Sequence, residues 1–268
     1  ARRGLIAEVE EVLHGTTVAT NAVIERAGAT IGLLATKGFR DTLEIGRQMR
    51  QNMYGLILEP ETPVFLAPGA YRREVRERIS ASGEVIQALN EADVIAAVDA
   101  LVADGIEALA VCLLFSFVNP AHEIRIKQLV NERHPQLDIS LSSEVDPAFR
   151  EYERTVVTAF DAYIKPAIDS YLGALEVNLH EAGLATPLLI MQSRGGLSAS
   201  VVARQRPVRL FLSGPAAGVI GAALSCAPAR ACDWDGDCAS EVSGPALPAP
   251  GGGTACARAS APGFASAS

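Results

Sequence analysis

The sequence lacks the features of nucleic-acid-binding proteins, membrane proteins and secreted proteins. It has 23 lysines and arginines against 31 aspartates and glutamates, a formal net charge of −8, and no block of basic residues. Nucleic acids and anionic membranes bind clustered positive charge, so neither is expected as a partner. No apolar run approaches the ~18 residues of a membrane-spanning helix, and no signal peptide is visible. We expect a cytoplasmic protein, with an incomplete N-terminus because Ala1 rather than Met comes first.

The five cysteines are placed unevenly, and their spacing predicts no metal site. Cys112 lies in the apolar run ALAVCLLFSF and is expected to be a small buried hydrophobe. The other four, which follow residue 225, are spaced too widely for a zinc knuckle: Cys226, Cys232, Cys238 and Cys256. The acidic segment DWDGDC, residues 233–238, lacks the glycine and glutamate positions of a calcium loop.

Apolar runs alternate with amphipathic helical patterns from about residue 9 to residue 225. The runs are EEVLHG (10–15), TIGLLAT (30–36), ALAVCLLFSF (108–117), LDISLS (137–142), PLLIMQS (187–193) and VRLFLS (208–213). Helical periodicity covers 91–104, 149–164 and 166–182, and residues 71–88 read as an exposed hairpin with a Ser-Gly turn. This alternation predicts an α/β fold with a largely parallel sheet.

The pattern stops after Cys226. Residues 227–268 are mostly Ala, Gly, Pro and Ser, without periodicity. Such a stretch buries too little apolar surface to offset its ordering entropy, so we expect a disordered tail. Periodicity ends at one point, and the composition suits GC-rich codons read out of register. We therefore interpret the tail as a frameshift product, with a native flexible extension as the alternative.

The first candidate site is VLHGTTVATNAV, residues 12–23, where a strand gives way to a helix. Ligands bind at the carboxyl ends of parallel strands, and helix N-termini attract anions. Its glycine and polar residues are His14, Gly15, Thr16, Thr17, Thr20 and Asn21. The glycine lets a ligand approach the backbone, and the first two threonine hydroxyls can donate to phosphate or carboxylate oxygens. Plain helix capping, with the histidine packed in the core, explains the same residues.

The second candidate is LFLSGPAAGVIGAALS, residues 210–225. Ser213 is a plausible N-cap, and Pro215 fits the first turn of a helix. Small residues then recur at helical spacing: Gly214, Gly218, Gly221, Ala222 and Ser225. Glycine costs a helix about 1 kcal/mol against alanine, so the stripe indicates close approach of another backbone, or tight helix–sheet packing.

The third candidate is LLIMQSRGGLSA, residues 188–199. A buried strand ends in Gln192 and Ser193, and a glycine pair, Gly195 and Gly196, precedes a helix expected near Ser198. A tight turn would need the same glycines. Because all three segments follow apolar strands, we expect loops 14–21, 192–196 and 213–218 to cluster on one side of the sheet. The charges of SSEVDPAFREYERT (142–155) are expected to be surface pairs.

No P-loop, zincin or nucleophile-elbow signature is present. However, five segments in order closely resemble the hydantoinase A/oxoprolinase family. They are HGTTVATNAVIERAGATIGLLATKGFRDTLEIGRQ, LAVCLLFSFVNPAHE, SLSSEVDPAFREYERT, LLIMQSRGGL and LSGPAAGVIGA. The resemblance implies an incomplete actin-like ATPase (ribonuclease H-like) fold. Residues 1–186 would be part of an N-terminal domain, 187–226 the start of a core domain, and 227–268 the disordered tail.

The resemblance also implies chemistry in which ATP phosphorylates an amide or carbonyl oxygen. His14, Thr16 and Thr17 would then be catalytic. The binding residues would be Gly15, Thr20, Asn21, Gln192, Ser193, Gly195, Gly196, Ser213, Gly214 and Gly218. ATP and Mg²⁺ are the implied cofactors, a hydantoinase B-type subunit is the implied partner, and a cyclic amide or ketone is the implied substrate.

Two departures bear on activity. The family's Gly-rich, Asp-containing phosphate loops, of the kinds D-x-G-G-T-x-x-D and Asp followed by G-G-T-S, are missing from this sequence. Arg194 also stands where relatives more often carry a small polar residue. Three interpretations stay open: a fragment of an ATP-dependent cyclic-amide hydrolase, part of an acetone or acetophenone carboxylase, or a non-catalytic fragment.

Overall fold

The computed structural model describes residues 9–49, 54, 63, 65–184 and 186–226. The strands are β1 (Val12–His14), β2 (Ile31–Thr36), β3 (Arg72–Val75), β4 (Arg78–Ile79), β5 (Val85–Gln87), β6 (Ala108–Cys112), β7 (Asp138–Leu141), β8 (Leu188–Met191) and β9 (Leu197–Ala199). The helices are α1 (Val18–Ile24), α2 (Thr42–Ile45), α3 (Glu91–Ala103), α4 (Ala121–Arg133), α5 (Ser142–Val145), α6 (Glu151–Glu181), α7 (Ser200–Gln205) and α8 (Ser213–Cys226). Short 3₁₀ helices cover Gly69–Tyr71 and Pro207–Leu210.

The larger sheet has four parallel strands in the order β3-β2-β6-β7. Every residue of β2 and β6 is buried, as expected of strands covered on both faces. Helix α3 covers part of this sheet and begins after Asn90, whose side chain accepts the Asp93 N–H at 3.1 Å. Cys112 is buried at the end of β6. The predicted α/β fold with parallel strands and the buried cysteine are both confirmed.

The smaller sheet joins distant parts of the chain in the order β1-β8-β9. Strand β1 is parallel to β8, with His14 opposite Ile190, and β9 is antiparallel to β8. The described residues therefore form two sheets and a separate hairpin, whereas the sequence pattern predicted a single largely parallel sheet. Strands on either side of the boundary predicted at residues 186–187 pair with each other, and the boundary itself stays a prediction.

Helix α6 packs against both sheets. Its buried face includes Ile164, Ile168 and Leu172, and one apolar cluster holds these residues together with residues of β2, β6 and β8. We expected two helices interrupted at Pro166, but α6 continues through that proline. A proline inside a helix costs about 3 kcal/mol or more. Burial of the isoleucines on either side offsets that cost.

The segment VRLFLS forms no strand. It lies across the 3₁₀ helix Pro207–Leu210 and the first residue of α8. Proline cannot donate to a strand ladder, and the Val208 N–H donates to the buried Asp161 carboxylate at 3.0 Å. Leu210 is buried in the cluster around α6. Tertiary contacts thus override an apolar pattern.

Two further segments differ from the sequence interpretation. In the expected 71–88 hairpin, β3 instead joins the larger sheet, and only β4 and β5 pair antiparallel around the turn that contains Gly83. In the glycine-rich segment, β9 occupies residues 197–199 before α7 begins at Ser200. In both places the chain alternates polar and apolar residues over too few positions to show where a strand ends.

A buried polar cluster lies at the carboxyl end of β6. The Glu123 carboxylate accepts four hydrogen bonds, from Leu113 N, Ser142 Oγ, and the N–H and Oγ of Ser143, at 2.7–2.9 Å. The Arg154 guanidinium donates to the carbonyls of Leu113 and Ala148 at 2.8 and 2.9 Å. We expected Arg154 in a surface pair, but it is fully buried. Its carbonyl partners lie in loops whose positions the sequence pattern did not reveal.

In the part of the chain that the structure describes, no helix is long and apolar enough to cross a membrane. The predicted disordered tail, residues 227–268, lies outside the described residues, together with three of its cysteines. Its proposed origin in a frameshift stays a prediction.

The buried carboxylate predicts a large effect of a nearly isosteric change. Glu123→Gln places an NH₂ group where one oxygen accepts two hydrogen bonds, leaving buried donors without acceptors. We expect unfolding free energy to fall by about 2–4 kcal/mol in urea denaturation. Glu132→Gln, an exposed position on the same helix, is the matched control with little expected change. Equal stability of the two variants would contradict this account of the cluster.

Candidate functional site

The turn after β1 is fixed to the start of α8. The Ser213 hydroxyl donates to the Thr16 carbonyl at 2.9 Å and lies 3.4 Å from the Thr16 N–H, which donates to it. Ser213 is fully buried. Two residues 197 positions apart thus close the turn with a reciprocal pair of hydrogen bonds. The first and second candidate segments form one junction.

Small residues permit this contact. A Cβ added at Gly15 would lie 3.4 Å from the Ala217 Cβ and 3.7 Å from the Gly214 Cα. A Cβ at Gly214 would lie 3.5 Å from the Thr17 methyl group. The small residues at the start of α8 therefore allow the close approach of the turn after β1. At Gly218, which is exposed, an added Cβ would meet no described atom within 4 Å.

The two threonines of the turn have different surroundings. Thr16 is buried, and its hydroxyl accepts the Val18 N–H at 3.2 Å, which is a local hydrogen bond just before α1. Thr17 and Asn21 are exposed, and the structure gives their side chains no hydrogen bond with other described residues. Thr20 is half-buried. A ligand could therefore reach the Thr17 hydroxyl and the Asn21 amide without breaking existing hydrogen bonds.

His14 is half-buried at the end of β1. Its Nε2 lies 2.9 Å from the Tyr171 hydroxyl, and the two ring centroids are 5.8 Å apart. Burial lowers the pKa of His14 below the ordinary value of 6.5, because desolvation disfavours the charged imidazolium. The imidazole is therefore neutral at pH 7.

The loop after β8 lies beside this junction. Gln192 N donates to the Gly196 carbonyl at 2.8 Å, and Gly195, with φ of +85°, donates back to the Gln192 carbonyl at 3.0 Å. These contacts form a tight turn, which was the alternative explanation of the two glycines in the sequence. The Ser193 N–H and hydroxyl both donate to the Arg209 carbonyl, at 2.8 and 3.0 Å.

The three loops meet at one edge of the smaller sheet. Strands β1 and β8 are parallel neighbours, so residues 15–17 and 192–196 leave the same edge. Ser213 attaches α8 to the first loop, and a Cβ at Gly195 would lie 3.1 Å from the Ile220 Cδ1 of α8. The catalytic and binding roles assigned to these residues stay predictions.

Sequence reasoning missed Tyr171. It lies on α6, 157 positions from His14, and next to the apolar positions that define the buried face of that helix. No local pattern links a tyrosine in one helix to a histidine at the end of a distant strand. Its only signal in the sequence was a tyrosine directly before Leu172, one of the apolar positions of the helical pattern.

The junction offers hydrogen-bond donors that suit an anionic oxygen: the Thr17 hydroxyl, the Asn21 amide and the backbone around Gly15. The described residues contain no group of three or more His, Cys, Asp or Glu side chains that could hold a metal ion. Bound Mg²⁺ prefers carboxylate oxygens. The described residues thus offer hydrogen-bond donors for a ligand oxygen at this junction, and among them no cluster of carboxylates for a metal ion.

Two family models match the chain. The model described as the hydantoinase/oxoprolinase N-terminal region covers residues 2–134, and the model described as hydantoinase/oxoprolinase covers residues 154–231.

Several relatives are similar over most of the chain. Caprolactamase subunit alpha of Pseudomonas jessenii is 36% identical over 79% of this chain and 30% of its own length. The acetophenone carboxylase gamma subunit of Aromatoleum aromaticum is 33% identical over 82% and 31%. 5-Oxoprolinase 1 of Arabidopsis thaliana is 34% identical over 80% and 18%. The chain thus spans about a third of the two bacterial relatives and less of the plant one.

A solved structure is also similar. The crystal structure of the ATP-dependent caprolactamase from Pseudomonas jessenii superposes with a TM-score of 0.75 at 33% sequence identity. The match covers 84% of this chain and 33% of that one.

Burial of His14 predicts its titration. We expect a midpoint below pH 6.5 when the ring is followed by NMR, because the folded protein disfavours imidazolium. The lowered pKa also makes the stability of the protein depend on pH. Below pH 6.5 the unfolded chain binds more protons at this residue, so the contribution of His14 to stability falls as the pH falls through that range. A midpoint at or above 6.5 would contradict the burial seen here.

The junction predicts the effect of removing the Ser213 hydroxyl. Ser213→Ala deletes both hydrogen bonds to the Thr16 backbone, which should loosen the turn by about 1–2 kcal/mol. We expect hydrogen exchange of the Thr16 amide to accelerate about tenfold, measured by NMR, with little change in larger-sheet amides. Ser82→Ala, in the exposed hairpin turn, is the control. Unchanged Thr16 exchange in Ser213→Ala would show that the junction does not depend on this hydroxyl.

Proposed function

The chain belongs to the hydantoinase/oxoprolinase family, and from that membership we propose that it forms part of an ATP-dependent hydrolase of cyclic amides, of the hydantoin or 5-oxoproline type. The observation that carries the proposal is the junction of the β1 turn with the start of α8, which leaves free donors beside a neutral histidine. Two of the relatives, a caprolactamase and a 5-oxoprolinase, are named for cyclic amides.

The proposal includes the fold expected of the family. We infer an actin-like ATPase (ribonuclease H-like) arrangement, in which two related α/β domains close over nucleotide, with the boundary near residues 186–187. The mainly parallel sheets and the similarity to an ATP-dependent caprolactamase support it. We also propose a hydantoinase B-type partner subunit, since the bacterial relatives are named as subunits. A cytoplasmic location is part of the same proposal.

ATP, when bound, would supply the phosphoryl group that turns an amide oxygen into a leaving group. The residues of this chain would position and neutralise the oxygens that carry the developing charge. The Thr17 hydroxyl and the Asn21 amide are the donors with free hydrogen-bonding capacity, and Gly15 lets a ligand reach the backbone. Thr16 and Ser213, assigned to direct contact from sequence, would instead hold the turn, since their hydroxyls are engaged with the backbone.

A carboxylase is the second candidate. The acetophenone carboxylase gamma subunit is 33% identical to this chain, close to the identities of the amide-cleaving relatives. The same junction would then face a ketone oxygen. Turnover that requires bicarbonate would distinguish this reaction from amide hydrolysis.

We expect the 268-residue chain to hydrolyse no ATP above background. Its sequence lacks the aspartate- and glycine-containing loops that hold Mg²⁺ and phosphate. The measurement is ADP release from purified protein with MgATP, with and without hydantoin, 5-oxoproline or caprolactam. ATP hydrolysis that Thr17→Val abolishes would show that the chain is a competent ATPase by itself.

A chimera tests the proposed function. Residues 9–226 replace the matching third of the caprolactamase alpha subunit, which is assayed with its partner subunit for ATP-dependent cleavage of cyclic amides and for ketone carboxylation. We expect amide cleavage without bicarbonate, and a loss of at least about tenfold in Thr17→Val, equivalent to one hydrogen bond to a charged oxygen. Ser82→Ala is the folding-neutral control. A folded, assembled chimera with bicarbonate-dependent turnover only, or with full activity in Thr17→Val, would overturn the assignment.

A further inference from the structure

The contact between His14 and Tyr171 decides which ring nitrogen carries the proton. His14 is two residues after Val12 in β1, so both side chains lie on the same face of the strand, whereas Leu13 between them is exposed. Val12 and Tyr171 pack against the same apolar cluster. The phenol is therefore held by packing in the place where it meets Nε2 at 2.9 Å.

A neutral imidazole has one donor and one acceptor nitrogen, and the hydrogen bond at one nitrogen sets the role of the other. A phenol is a better hydrogen-bond donor than acceptor, and an imidazole nitrogen with a lone pair is a good acceptor. The favoured arrangement is thus Tyr171 O–H donating to Nε2. The proton of the ring then lies on Nδ1, which has no hydrogen-bond partner among the described residues.

We propose that Tyr171 is a positioning residue that holds His14 in the neutral, Nδ1-protonated form, so that the ring presents an N–H donor to a carbonyl or phosphoryl oxygen of the substrate. With Nε2 occupied by the phenol and Nδ1 protonated, His14 has no free lone pair with which to act as a general base. Its contribution would be stabilisation of negative charge on oxygen. The identity of that oxygen rests on the proposed function, while the protonation of the ring does not.

NMR of the unmodified 268-residue chain measures directly which ring nitrogen of His14 is protonated. Long-range ¹H–¹⁵N correlation at pH 7.5 distinguishes a protonated from an unprotonated ring nitrogen. We expect His14 to show protonated Nδ1 and unprotonated Nε2. The exposed His180 is an internal reference for an imidazole in solvent, where the Nε2-protonated form prevails. A protonated Nε2 at His14 in the wild-type spectrum overturns the proposal.

Tyr171→Phe removes the donor and keeps the ring that packs against the cluster. We expect His14 in this variant to shift mainly to the Nε2-protonated form, with the amide spectrum elsewhere unchanged. An unchanged tautomer in a folded variant overturns the role of the tyrosine. If the variant does not fold, the wild-type spectrum decides alone.

The donor role is tested in the chimera. An asparagine amide can place an N–H near the position of Nδ1 but cannot act as a base. His14→Asn should therefore retain at least about tenfold more activity than His14→Ala, because one charge-assisted hydrogen bond contributes that much. Equal loss in both variants overturns the donor role. An inactive parent chimera would count against the proposed function, and the NMR result would stand independently of it.

Discussion

The packing of helix α6 against both sheets is the interaction on which the described structure depends. It packs against β6, β7 and β2 of the larger sheet, and also beside α1 and the 3₁₀ helix at Pro207–Leu210. One apolar cluster runs through these contacts. The helix accepts a proline in its interior because breaking it would expose this shared core to water. The same burial places Tyr171 beside the end of β1.

Two polar centres lie along that helix, one near its N-terminus and one past its middle, and they differ in physical character. Around Arg154, near the N-terminus of α6, the charged side chains are fully buried and bond to backbone and hydroxyl groups, except that the Arg154 Nε has no hydrogen-bond partner among the described residues. Around Tyr171, 17 residues and about 25 Å further along the helix axis, side chains are half-buried or exposed and keep free donors. A ligand needs unsatisfied groups within reach, so the second centre is the better candidate site.

The junction of β1 with α8 shows how few contacts build that site. One serine hydroxyl closes the turn, and glycine and alanine let helix and turn approach within van der Waals distance. Capping and ligand binding were competing explanations of the threonines in the sequence. In the structure the Thr16 hydroxyl accepts the Val18 N–H, whereas the side chain of the N-cap residue Thr17 makes no capping bond and remains exposed. A scaffold of engaged side chains thus supports a small set of free ones.

The sequence by itself determined the α/β class, most strands, helices α3 and α8, and the loops that carry the candidate site. These features are local, because apolar periodicity, glycines at turns and a serine before a helix are patterns of residues that lie close together in the sequence. Only the tertiary structure decided that VRLFLS is not a strand, that α6 is continuous, that Arg154 is buried and that Tyr171 meets His14. Each of these depends on partners far away in the chain, such as the Asp161 carboxylate that accepts the Val208 N–H. Burial and long-range hydrogen bonds outweigh local preference there, because their free energies exceed the small differences between local conformations.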